Sequence, residues 1–379
     1  MRLTEEQKLL RDAARDVAQN LLAPGAALRD REAQFPKDEL AELGKLGFMG
    51  VLVPPEYGGA GADHVGYALA LEEIAAGDGS VSTILAVHNS VGCVPVLKFG
   101  SQEQRERFLK PMAAGEMLSC FCLTEPGAGS DAAAIKTSAK RHGNRWVVNG
   151  TKQFITSGSA ARVAIVFAVT DPEAGRNGIS AFIVPTDTAG YRAARLEHKL
   201  GQRASDTAQL VFEDMELTPD LMLGGEGDGY RIALSNLEGG RIGIAAQSLG
   251  MARAAYDAAL AYAKERETFG RKIFEHQAVA FRLADMATQL AASRGLILDA
   301  ASRRDEGLPC LKEAAMAKLF ASEIAERVCS DAIQLHGGYG YLADFPVERI
   351  YRDVRVCQIY EGTSDIQRLV IAREIEREG

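Results

Sequence analysis

Metal-ligand spacing is missing from this chain. Its 379 residues hold six histidines and six cysteines, yet no HExxH, CxxC or comparable cluster joins any of them. No metal is expected. Without paired cysteines there is no disulfide framework, and Cys93, Cys120, Cys122, Cys310, Cys329 and Cys357 read as small buried hydrophobes in a reducing compartment. Cys120 and Cys122 flank Phe121 and so share one face of a strand. Aromatics are sparse at 7%, and the single tryptophan, Trp146, reads as core. A basic excess is also lacking: the net charge is −8, with Lys and Arg scattered along the chain. Nucleic acid and anionic membrane surfaces are therefore not expected partners. The longest clean apolar run, Val163–Val169, is far too short to span a bilayer. The start, Met1-Arg2-Leu3-Thr4-Glu5-Glu6-Gln7, is acidic and enters a helix directly, so no targeting segment is read there. These absences predict a cytoplasmic bacterial protein.

What is present is ordinary globular material, 47% hydrophobic and 25% charged, enough for two or three domains. Residues 1–115 read as helices. Thr4 and Gln7 have capping-box spacing, Pro24-Gly25 closes the first helix, and others span 37–46 and about 65–76. A small-residue segment then leads to Pro95, and 102–111 is short and amphipathic. From 116 to 224 the chain changes character. Met117–Leu123, Arg145–Asn149, Val163–Val169, Ile179–Val184 and Ala208–Phe212 are short, β-branched runs with no crossover helix between them. They predict an antiparallel sandwich or barrel. From 225 to 379 long helices return, at about 229–265, 276–304, 310–336, 346–354 and 364–377, which predicts a four-helix bundle. The fold class is α+β in the order α, β, α.

The stretch Ile359-Tyr360-Glu361-Gly362-Thr363-Ser364-Asp365-Ile366-Gln367 sets one carboxylate in a glycine-hinged turn before a helix. Ser364 and Gln367 have capping-box spacing, and Ile366, Leu369 and Val370 begin an apolar face. The exposed N–H groups of that helix start suit an anion such as a phosphate. Alone, Glu361 would read as a solvated loop acid. A second motif changes that reading: Phe121-Cys122-Leu123-Thr124-Glu125-Pro126-Gly127-Ala128-Gly129-Ser130-Asp131. Gly127 to Ala132 fits G-x-G-x-x-A after a strand, but no helix opens at its third position, so it is not a dinucleotide fingerprint. It remains a glycine-rich loop able to cradle a phosphate or a polar ring edge. In the third motif, Asn149 to Gly158, Asn149-Gly150 signals a hairpin turn. Phe154 and Thr156 share one face there, as a flavin-packing surface or as an ordinary half-buried strand.

Together with Gly58-Gly59-Ala60-Gly61, Arg241-Ile242-Gly243-Ile244-Ala245, Arg266 to Gly270 and Gln334-Leu335-His336-Gly337-Gly338-Tyr339-Gly340, these motifs resemble the acyl-CoA dehydrogenase family along essentially the whole chain. The resemblance implies FAD as cofactor, acyl-CoA as substrate, electron-transfer flavoprotein as acceptor and a homotetramer. It places Phe121, Leu123, Thr124, Gly129 and Ser130 on the flavin ring, with Ser130 also reaching acyl-CoA. Phe154, Ile155 and Thr156 fall on the flavin's other side. Arg266, Phe269, Gln277 and Gln334, Leu335, His336, Gly337 and Gly338 fall on the adenine and pyrophosphate end, partly across a subunit interface. Thr363, Ser364 and Asp365 start the flavin-binding helix; Asp365 departs from the Glu or Gln of many relatives. Glu238, Gly239, Gly240, Arg241, Tyr360 and Gly362 line the substrate site.

Glu361 matches the base of most members. One branch carries its base where this chain has Gly240, which supports Glu361; Glu238 reads as a substrate-site or structural residue. The implied reaction removes an α-proton from a short-chain acyl-CoA, while the β-hydride passes to flavin N5, giving the trans-2-enoyl-CoA. Stabilising the enolate needs preorganised donors, in relatives a ribityl hydroxyl and the N–H of the base. An apolar acyl chain closing over Glu361 should raise its pKa against the helix dipole. Gly239-Gly240-Arg241 and His336 to Tyr341 also resemble members acting on short branched acyl groups from amino-acid breakdown. An acyl-CoA oxidase would be expected to carry a further helical domain, whereas the sequence ends twelve residues after Gln367. A non-catalytic CoA-binding scaffold would have lost Glu361, Thr124 or Thr156, which are all present.

Overall fold

The computed structural model describes residues 2–378. Thr4 opens helix α1 (Glu5–Val17): its Oγ1 accepts the Gln7 N–H at 3.1 Å while Gln7 Oε1 accepts the Thr4 N–H at 3.0 Å, the reciprocal capping expected from the spacing. Pro24-Gly25, however, does not end the helix. A π turn at Ala18–Leu22 carries the chain into α2 (Ala23–Glu32). Proline has no N–H to give and crowds the carbonyl four residues back, and the wider turn absorbs both defects. Helices α3 (Lys37–Lys45) and α4 (His64–Gly77) follow.

The small-residue stretch before Pro95 is helical as well. Asp78 caps it, accepting from the N–H groups of Ser80 and Val81, and α5 (Gly79–Val87), a π turn and α6 (Val94–Phe99) run on without a break. This run, Gly79–Phe99, is long and apolar enough to cross a membrane, but 89% of its apolar window is buried inside the protein. A helix apolar on every side is what complete burial rewards. Short α7 (Gln102–Gln104) and α8 (Lys110–Ala113) complete the first helical part.

Eight strands make one mixed sheet: β1 (Ser119–Cys122), β2 (Ser138–His142), β3 (Arg145–Thr156), β4 (Val163–Val169), β5 (Ile179–Pro185), β6 (Tyr191–Leu196), β7 (Thr207–Leu217) and β8 (Met222–Leu223). Their order is β6-β7-β3-β2-β4-β5-β8, with β1 set beside β4. The hairpins are antiparallel, but β1 and β2 each meet β4 in parallel. The β2–β3 hairpin lies between β1 and β4 in the chain and supplies the long connection that parallel pairing needs.

The hairpin turn itself falls at Gly143, φ 60°, and not at Asn149-Gly150. Those two residues sit inside β3, where its register with β7 shifts. A Cβ on Gly150 would lie 2.7 Å from Thr137 Cα, so this crossing requires glycine. A second shift, between Lys152 and Ile155, accompanies a φ of 59° at Phe154. That bulge turns the Phe154 ring out of the sheet, leaving it 64% exposed.

Hairpin β9 (Glu267–Thr268) and β10 (Arg271–Lys272) separates α9 (Gly229–Glu265) from α10 (Gln277–Asp305); α11 (Leu311–His336), α12 (Pro346–Val354) and α13 (Ser364–Glu378) complete the chain. The bundle is not closed by the C-terminal helices alone, because α4 packs into it and one apolar core runs from Ala14 through Leu71 to Ile242, Ala321 and Cys357. Small residues allow the approach: a Cβ on Gly250 would stand 2.9 Å from Ala75 Cβ. Glu72 and Glu73 of α4, nearly buried, pair with Arg253 of α9 at 3.0 and 2.7 Å, which fixes the register of the two helices. Trp146 and the six free cysteines are buried, as expected.

Candidate active site

A cavity of about 650 Å³ opens between the glycine-rich loop, the bulged end of β3 and the turn before α13. From the loop come Thr124, Gly129 and Ser130, from β3 come Phe154 and Thr156, and from the turn come Tyr360, Glu361, Gly362 and Thr363. The three sequence motifs, scattered over more than two hundred residues, thus meet around one space.

Glu361 has φ 54° and Gly362 φ 88°, so the turn is left-handed at two successive residues. Such a conformation at a glutamate persists only when its surroundings hold it. They do so from below: Lys318 Nζ donates to the Gly362 carbonyl at 2.7 Å, and Gln367 Nε2 donates to the carbonyls of Gly362 and Glu361 at 2.9 and 3.1 Å. The capping box expected of Ser364 and Gln367 consequently does not form. Gln367 is fully buried and spends its amide on the inward-facing carbonyls, while Thr363 Oγ1 accepts the Ile366 N–H at 3.3 Å. Leu369, expected on the apolar face, is 52% exposed.

Glu361 Oε1 is buried and has no partner among the described residues. Burial raises its carboxyl to about 7, against the opposing charges of Arg241 and Lys318. Arg241 is itself 5% exposed, and its Nε and Nη1 likewise lack partners among the described residues. Gly240 makes the room: a Cβ there would fall 2.7 Å from Glu361 Cδ. Glu238, one turn earlier in α9, faces elsewhere and pairs with Arg304 at 2.8 Å.

The opposite wall rests on a buried ion pair that the sequence did not announce. Lys152, fully buried, donates from Nζ to Glu125 Oε1 at 2.8 Å and to the Leu123 carbonyl at 3.1 Å. Glu125 also accepts the N–H groups of Lys136 and Thr137 at 2.6 and 2.9 Å. The pair ties the glycine-rich loop to β3, so Thr124 and Thr156 keep a fixed separation. Lys152→Met leaves the Glu125 carboxylate buried without its cation, and it is expected to lower stability by about 3 kcal/mol. A urea midpoint unchanged from wild type would contradict this.

Phe121, Leu123 and Ile155 do not line the cavity. Phe121 packs edge-on against Phe167 with centroids 4.8 Å apart, and Ile155 is 2% exposed in the sheet core. Asp365 points to solvent and pairs with Arg368 at 3.3 Å. The set Arg266, Phe269, Gln277 and Gln334 to Gly338 also lies outside this cavity. Arg266 sits over the Tyr339 ring at 5.9 Å, Phe269 is 96% exposed at the tip of the β9–β10 hairpin, and His336 is buried, stacked on Tyr262 at 4.5 Å. Lining residues not anticipated include Thr83, Gln202, Arg352 and Arg355. Thr83 Oγ1 donates to Gln202 Oε1 at 2.5 Å, Gln202 Nε2 to the Asp353 carbonyl at 3.1 Å, and Tyr360 Oη to Gln247 Oε1 at 2.7 Å. No local signal marks these contacts, since each joins distant segments.

Chemically, the cavity offers an exposed aromatic face at Phe154 and the hydroxyls of Thr124, Thr156 and Ser130. Arg355, which lines it, has a buried Nη1 without a partner among the described residues. A flat ring system with a polar rim fits such a lining, and a carboxylate with a free oxygen stands at its edge.

Known proteins share this sequence pattern and fold along the whole chain. Models of the N-terminal, middle and C-terminal domains of acyl-CoA dehydrogenases match residues 4–116, 120–215 and 227–376. The mitochondrial short-chain specific acyl-CoA dehydrogenase of Bos taurus is 47% identical over 370 residues, covering 98% of this chain and 90% of that one. Butyryl-CoA dehydrogenase from Megasphaera elsdenii superposes with a TM-score of 0.98 at 41% identity over 100% of both chains. A chain from a structure described as the electron transferring flavoprotein of Acidaminococcus fermentans gives 0.98 at 44% identity, over 100% of this chain and 99% of that one. The chain belongs to the acyl-CoA dehydrogenase family, FAD-dependent oxidoreductases that act on acyl-CoA.

Proposed function

We propose that this enzyme dehydrogenates a short-chain acyl-CoA to the trans-2-enoyl-CoA, with Glu361 as the base that takes the α-proton. The observation that carries this reading is the Glu361 carboxyl: an unpartnered buried oxygen at the rim of a cavity with flavin-compatible walls. FAD, when bound, accepts the hydride leaving the β-carbon. Thr124, Thr156, Phe154 and the start of α13 would hold it, and Ser130, Gly362 and Tyr360 would border the acyl thioester. Excluding water raises the base toward neutrality, where it can both take and release a proton. A short acyl group is favoured by the wall beside Tyr360. There Thr83 Oγ1 donates to Gln202 Oε1 and accepts from Gln247 Nε2, and Tyr360 Oη donates to Gln247 Oε1, so these side chains are tied to one another.

Electron-transfer flavoprotein as acceptor is supported by the Acidaminococcus likeness. A homotetramer is supported by the exposed Phe269, Phe281, Tyr341 and Ile375, and by the Arg266 to Gly338 set, which a second subunit would bring to a cofactor.

The proton acceptor must be ionised, so kcat/KM is expected to fall about tenfold per pH unit below about 7 and to level off above it. Turnover of butyryl-CoA by the holoenzyme, followed with electron-transfer flavoprotein and with oxygen as alternative acceptors, tests the reading. Enoyl product formed with the flavoprotein and little with oxygen is expected; no product with either acceptor would overturn it.

A further inference from the structure

Lys318 lies on α11 among Ala314, Ala317 and Ala321, and all four are 0% exposed. Nothing about packing demands a charge there. A methionine would fill similar space without the penalty of a buried ammonium, and Gln367 already gives the Gly362 carbonyl one donor. We propose that Lys318 is a positioning residue for the base, clamping the left-handed Glu361–Gly362 turn through the Gly362 carbonyl and holding the Glu361 carboxyl ionised with its charge. This rests on the reading of Glu361 as the base.

The groups facing Lys318 are few. Glu361 comes from the turn, Arg241 from α9, Cys357 from the segment after α12, and Glu323 from α11 itself. Burial brings the amine down to about 8; the carboxylates of Glu361 and Glu323 favour its charged form, and Arg241 opposes it. Burial pushes the Cys357 thiol up, so it stays neutral at working pH. From α4, Tyr67 faces Glu361, and burial drives its hydroxyl up as well. Two cations therefore bracket one carboxylate in a water-poor site, Arg241 beside Gly240 and Lys318 beneath the turn. At neutral pH their joint charge opposes the desolvation that lifts Glu361. Removing one must let the carboxyl rise further, because opposite charge favours the ionised acid.

The test uses the holoenzyme with Lys318→Met and Lys318→Gln, both of which remove the charge. The acid limb of kcat/KM for butyryl-CoA should move upward by about one pH unit in each, with kcat on that limb falling and KM changing little. An independent readout is the Glu361 carboxyl stretch in infrared difference spectra, titrated on the substrate-free holoenzyme and assigned with Glu361→Gln. Its midpoint should move upward by the same amount. If both variants fold, retain flavin and titrate where wild type does, the proposal is wrong. If the Met variant fails to fold, the Gln variant decides. Should wild type oxidise no acyl-CoA, the proposed function fails, whereas the infrared titration still decides the role of Lys318.

Discussion

Glu361→Gln is expected to lower kcat for butyryl-CoA by about a hundred- to ten-thousand-fold, with fold and flavin content unchanged. The amide keeps the size of the side chain in its pocket against Gly240, and the turn is held through the backbone carbonyls of Glu361 and Gly362 rather than through the carboxyl. Only the proton acceptor is lost. Glu238→Gln makes the informative comparison, because Glu238 is engaged by Arg304 at 2.8 Å and by Cys310 Sγ at 3.8 Å. Its replacement should disturb that pair and leave most of the rate. The reverse ranking of the two variants would move the base from the turn to α9.

Gly240→Ala is expected to reduce kcat by about a hundredfold while stability stays near wild type. An alanine inside a helix ordinarily stabilises by about 0.5–1 kcal/mol over glycine. Here the added methyl would stand 2.7 Å from Glu361 Cδ and 3.3 Å from Cγ. A flexible carboxylate can swing aside, so the fold survives, but the base leaves the geometry in which it meets the α-carbon. Stopped-flow flavin reduction and a denaturant midpoint, measured together, separate the two effects. A variant that reduces as fast as wild type would mean that Gly240 does not shape the base.

Long periodic helices and the turn motifs were legible in the sequence because their signals are local. Thr4 with Gln7, the helices from Gly229 onward, and the glycine-hinged turn at Glu361 follow from spacing within a few residues. The misreadings share a physical cause, since tertiary contacts outweighed a local signal. Pro24 is tolerated by a π turn, Asn149-Gly150 serves a bulge against Thr137, and Gly79–Phe99 is helical because its burial rewards an apolar helix that looks featureless in sequence. Gln367 forgoes its capping role for the same reason, the carbonyls below Glu361 being the more demanding acceptors.

The site was legible as motifs but not as a machine. Lys318 carried a signal that spacing could have found. Ala314, Lys318, Ala321 and Ala325 fall on one helical face, and a lone lysine on such a face needs a buried partner. That the partner is the Gly362 carbonyl depends on how α11 packs beneath the turn, which no window of sequence contains. Lys152 is similar: it lies within the third motif, and its partner Glu125 within the second, yet nothing local pairs them.

Anaerobic single-turnover reduction decides whether Glu361 and the cavity beside it perform acyl-CoA dehydrogenation. Purified holoenzyme would be mixed without oxygen with butyryl-, isobutyryl- or octanoyl-CoA, and loss of the flavin's visible absorbance followed for wild type and Glu361→Gln. Rapid bleaching of wild type by a four-carbon substrate is expected, with slower bleaching by octanoyl-CoA and almost none in the variant. A protein that purifies without flavin, or a variant that bleaches as fast as wild type, would contradict it.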